Sequence, residues 1–74
     1  MGKLPRITAT VVIRVLKKKG YFLSRQSGSH KIFKNAKGQR VTIPFHKGKN
    51  IHIKVLSHIL KDADISVEEF KKSS

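Results

Sequence analysis

The chain has 74 residues, no Cys, no Trp and a formal net charge of +13, with 17 Lys and Arg against four acids. That length fits one domain, residues 1–74, with a thin core, because a domain of about 60 residues buries only about 60% of its unfolded surface. The missing Cys excludes a disulfide framework and a thiolate zinc site, and no apolar run approaches the roughly 20 residues that span a bilayer; a soluble cytoplasmic protein without a membrane partner is expected.

Thr8 to Lys19 reads as a helix, with Thr8 or Thr10 as its cap, Val11, Val12, Val15 and Leu16 at helical spacing, and Gly20 as its stop. Lys17, Lys18 and Lys19 complement the negative end of its dipole. The pattern then shifts to strands over Tyr21–Gln26, His30–Asn35 and Arg40–Ile43. Ser27-Gly28-Ser29 and Ala36-Lys37-Gly38 separate them as hairpin turns, and Pro44 closes the third. Register is open at this point: His30 shares the core face if Ile32 is buried and the opposite face if Phe33 is buried.

Pro44 to Asn50 is a polar, basic loop, and a second helix from Ile53 to Ala63 carries Val55, Leu56, Ile59 and Leu60, a stripe expected to pack beside the first helix. Ser66 to Glu69 spells a capping box that opens a short last helix around Phe70, with Lys71 to Ser74 expected to fray. The order predicts an α+β layer in which both helices cover one face of a three-stranded sheet and leave the other free.

All four acids, Asp62, Asp64, Glu68 and Glu69, follow Lys61. The rest of the chain is therefore a cationic field that repels itself and suits a polyanion such as nucleic acid. Hydrolysis of DNA usually calls for metal ions held by carboxylates, which this stretch lacks. RNA carries its own nucleophile in the 2'-hydroxyl, so one proton-transfer group and cations that steady the phosphorane suffice. No metal and no small-molecule cofactor are expected.

The candidate for proton transfer is His30, framed by Arg25-Gln26-Ser27-Gly28-Ser29. A lone strand-end His more often just bonds a turn. Here Gly28 and Ser29 have the character of a phosphate-cradling turn. Arg25, Lys31, Lys47 and Lys49 are candidate phosphate contacts, and His46, in the basic loop, is as readily an RNA contact as an ordinary loop residue. His52 and His58 lack metal-ligand spacing and read as surface or packing residues.

Several segments resemble the HicA toxins, small endoribonucleases of toxin–antitoxin systems. They are Val12-Ile13-Arg14 with Leu16-Lys17-Lys18 before Gly20, Arg25 to His30, Val41-Thr42-Ile43-Pro44 with His46, and Ile59-Leu60-Lys61 before Ile65-Ser66 and Glu68-Glu69-Phe70. The resemblance implies a fold like the double-stranded-RNA-binding domain, α-β-β-β-α with a short C-terminal helix. It also implies metal-independent cleavage of mRNA with His30 as the catalytic residue, and neutralisation by a HicB antitoxin. Two departures stand out: Lys54-Val55-Leu56 where the family often has Gly-Thr-Leu, and Ala63-Asp64-Ile65 for Ala-Gly-Ile. The rival reading is a non-catalytic RNA-binding module of the same fold.

Overall fold

The computed structural model describes residues 7–46 and 49–73. Its elements run α1 (Ala9–Lys18), β1 (Phe22–Ser27), β2 (His30–Lys34), β3 (Arg40–Pro44), α2 (Ile53–Ala63) and α3 (Val67–Ser73). This is the α+β order expected, with a three-stranded antiparallel sheet in the order β1-β2-β3 and the helices against one face.

Register settles which face is which. Phe33 pairs with Leu23 and Val41, and Lys31 with Gln26 and Ile43. Phe33, Val41 and Ile43 are fully buried and share one core with Val12, Val15, Leu16, Leu56, Ile59, Leu60 and Phe70. Full burial of each such apolar side chain stabilises by about 1.5–3 kcal/mol. The alternate positions His30, Ile32 and Lys34, with their partners Pro44, Thr42 and Arg40, therefore occupy the opposite face.

The stripe of α2 lies chiefly on β3, while α1 meets α3. The expected side-by-side seat of α2 on α1 is thus mostly a shared core rather than a direct pairing of helices. The helix layer stops short of β1, all six of whose residues are exposed, including Phe22 at 54% and Leu23 at 47%. A bulge at Ser24, between the Leu23 and Arg25 pairings, lets this edge strand twist away from the core.

Helices α1 and α2 both end in a Schellman arrangement. Tyr21 N–H donates to Leu16 O and Gly20 N–H to Lys17 O; Ile65 N–H donates to Leu60 O and Asp64 N–H to Lys61 O. The left-handed residue is Gly20 (φ 92) in the first and Asp64 (φ 59) in the second. In each case the next residue, Tyr21 or Ile65, turns into the core, and the Tyr21 hydroxyl donates 3.0 Å to the Ala63 carbonyl. Tyr21 thus plugs the helix layer instead of opening β1.

The capping box forms: Glu69 N–H donates to Ser66 Oγ and Ser66 N–H to the Glu69 carboxylate, both at 3.1 Å. That backbone donor, followed by Lys19 Nζ at 3.2 Å, holds the Glu69 carboxyl below its ordinary value. Fraying from Lys71 is not what the structure shows. Buried Phe70 and a 2.9 Å bond from Lys18 Nζ to the Ser73 carbonyl keep α3 helical through Ser73. No helix among the described residues is long and apolar enough to cross a membrane.

Candidate nucleic-acid interface

Because Phe33 points into the core, His30 emerges on the face that the helices leave bare. It stands at the first position of β2, exposed, with Ser27 opposite on β1 and Pro44 opposite on β3. Arg25 pairs with Ile32 and so shares that face. Lys34, Arg40 and Thr42 extend it, giving a surface of cations and hydroxyls interleaved with Phe22 and Ile32.

The turn before His30 is a two-residue loop, Gly28-Ser29. Gly28 takes φ 59, and Asp64 is the only described non-glycine residue with positive φ, so the geometry is that of a II' hairpin turn. A Cβ on Gly28 meets nothing within 4 Å, so glycine is needed here for its backbone angle rather than for space. Both carbonyls of the loop are engaged: Gln26 Nε2 donates to Gly28 O at 3.2 Å, and Phe45 N–H to Ser29 O at 2.6 Å. Carbonyl oxygens that would repel a phosphate are thereby occupied, and the end of β3 is fastened to the turn.

Lys31 is not brought together with His30. It lies on the helix-side face, its ammonium 4.0 Å over the centroid of Phe45, a cation–π contact that holds the residue following β3. Lys47 lies outside the described residues. His46 and Lys49 are exposed and, with Pro44, Asn50, Ile51, His52 and Val55, line a cleft between the end of β3 and the start of α2. Gly28, Ser29, His30 and Arg25 form one group, and His46 and Lys49 a second, with Pro44 between them.

His52 has a role that its sequence position did not reveal. It caps α2, its Nδ1 accepting from Lys54 N–H at 3.1 Å. The clue was its place immediately before Ile53, but Ser, Thr, Asp and Asn are the usual caps. His58 is exposed on α2, as expected.

The acids lie elsewhere. Asp64 and Glu69 border a cleft with Lys19 and the β2–β3 turn, Asn35 to Gln39, at the end of the hairpin opposite His30. The length of β2, about 3.3 Å per residue, separates that turn from the His30 end. No group of three or more His, Cys, Asp or Glu among the described residues is placed to hold a metal ion.

What this arrangement can do chemically is bind a phosphodiester on a cationic sheet face and present one imidazole to it. A comparison with curated proteins finds no match. A family model described as "HicA toxin of bacterial toxin-antitoxin" matches residues 10–65, which run from the first turn of α1 to just past α2.

Proposed function

The chain belongs to the HicA family, toxins of bacterial toxin–antitoxin systems with a cognate antitoxin as partner, and on that premise we propose that it is an endoribonuclease that cleaves mRNA without a metal ion, using His30 for proton transfer. The 2'-hydroxyl attacks the adjacent phosphorus while the bond to the 5'-oxygen breaks. The products are a 2',3'-cyclic phosphate and a 5'-hydroxyl end. His30 serves as general base toward the 2'-hydroxyl or as general acid toward the leaving oxygen. Arg25, on the same face, offsets charge on the phosphorane, and the Gly28-Ser29 turn seats the phosphate. His46, Lys49 and Lys47 bind flanking RNA. Lys31, on the other face, fixes Phe45 and through it the end of β3.

The observation that carries this reading is the pairing frame of His30: an exposed imidazole on a bare cationic face, beside a glycine turn, with Asp64 and Glu69 at the far end of the hairpin. The same bare face is the surface a HicB antitoxin covers, and self-repulsion among its cations favours a locally acidic partner.

End chemistry tests the mechanism. RNA cut by the purified chain should carry 2',3'-cyclic phosphates. A 5'-phosphate would mean water as nucleophile and would overturn it, and RNA that is bound but left whole would support the non-catalytic RNA-binding module.

A further inference from the structure

We infer that the cleft between the end of β3 and the start of α2 seats one unpaired nucleobase of the RNA and so sets where cleavage falls relative to that base; this rests on the ribonuclease reading above. The cleft measures about 280 Å³, at the lower end of small-ligand sites, as suits a single planar heterocycle. Pro44, Ile51 and Val55 give it apolar walls, and His46, Lys49, Asn50 and His52 give it polar groups. That is the pairing an unstacked base requires: a surface for its ring and donors for its edge.

The polar groups have a definite character. His52 Nδ1 is occupied as the acceptor of the Lys54 N–H, which leaves Nε2–H as the ring's donor. Lys49 only donates. Two of its four polar groups thus offer donors, which favours a base edge with carbonyl acceptors, while Asn50 and His46 can pair with either kind of group. No acid lines it.

Position links it to the reaction. Pro44 lines the cleft and is also the residue directly across the sheet from His30. A base held there and a phosphate at His30 belong to neighbouring nucleotides. The walls rest on backbone: Phe45 N–H donates to Ser29 O at 2.6 Å, Ile51 N–H to Ile7 O at 2.7 Å, and Asn50 bridges Thr8. These bonds hold the Pro44 end of β3 and the Asn50-Ile51 wall in place before RNA arrives, which lowers the ordering cost on binding.

The test uses short RNA oligonucleotides in which each position in turn is abasic, bound to His30→Ala protein so that nothing is cut. Two variants in that background alter the cleft: Val55→Trp fills it, and His52→Asn keeps a cap acceptor for α2 while removing the imidazole. One abasic position should weaken binding about tenfold, the size of one base–protein stacking interaction, and that penalty should shrink toward none in both variants. With His30 restored, mapped cleavage should lose its preference for one base at a fixed offset. An abasic profile that is flat, or unchanged in folded His52→Asn protein, overturns the inference. So does a result in which the variants leave RNA binding intact and weaken only capture of an acidic antitoxin. If His30-containing protein leaves RNA uncut, the ribonuclease reading fails, and the abasic binding profile still decides the base seat.

Discussion

His30 and Phe33 lie on opposite faces of β2, three residues apart, so burial of one requires exposure of the other. Stability and chemistry are therefore separable on this strand. Phe33→Ala removes a fully buried ring and should cost about 3–5 kcal/mol, comparable with the whole stability a core of this size supplies. His30→Ala should change stability by less than about 0.5 kcal/mol. Urea melts of the two variants check this, and equal losses would contradict the assigned faces.

Phosphate binding by Arg25 and Lys49 has an ionic signature. Removing one cation that touches a phosphate should make the slope of log affinity against log salt shallower by about 0.7 on single-stranded RNA. Arg25→Ala and Lys49→Ala should each show it. Lys61→Ala, in the last turn of α2, should leave the slope unchanged.

The bond from the Tyr21 hydroxyl to the Ala63 carbonyl couples the fold to alkaline pH. Burial, and then the nearby Asp64 carboxylate, push the phenol above its ordinary value. The sign follows: a raised phenol value favours the neutral form in the fold. Its contribution is complete below the ordinary tyrosine value and is lost as pH rises through the folded one. Tyr21→Phe should cost about 1 kcal/mol at neutral pH, the worth of one buried hydrogen bond, and flatten the alkaline decline in melting temperature. An unaltered alkaline decline would show that Tyr21 is not its source.

Asp64 takes a left-handed conformation, φ 59 and ψ 42, at the end of α2, where a glycine is relieved of steric cost. The analogous residue after α1 is Gly20. Asp64→Gly should stabilise the fold by about 1 kcal/mol, the order of the left-handed penalty that glycine escapes, read as a higher melting midpoint. It should also shrink the alkaline decline, which spans the gap between the unfolded and folded phenol values, because the Asp64 carboxylate that widens this gap is gone. A lower midpoint would mean that the Asp64 side chain stabilises this turn.

The elements whose signals are local were legible in the sequence. The apolar spacing of Ile53 to Ala63 and the Ser66–Glu69 box depend on neighbours within four residues, and both form as written. Register was not legible, because Ile32 and Phe33 both suit a core and only packing against the helices chooses between them. Tyr21 read as strand because aromatics favour strands, yet its ring follows the helix stop into the core. The Gly28–His30 tract and Arg25 share one face through strand alternation, once the register is set. Lys31 departs by the same alternation, since a residue adjacent to His30 must face the other way. The cleft joins Pro44 to Val55 across a loop and a helix start, a juxtaposition made only by tertiary structure, and the capping role of His52 belongs with it.

The most direct measurement is the rate at which purified protein cuts RNA in EDTA, with and without the His30 imidazole. Wild type should produce fragments, and folded His30→Ala should be slower by about 10²–10⁴-fold, the usual worth of a general acid or base. Equal cleavage by both proteins, or none by wild type, would contradict the central claim.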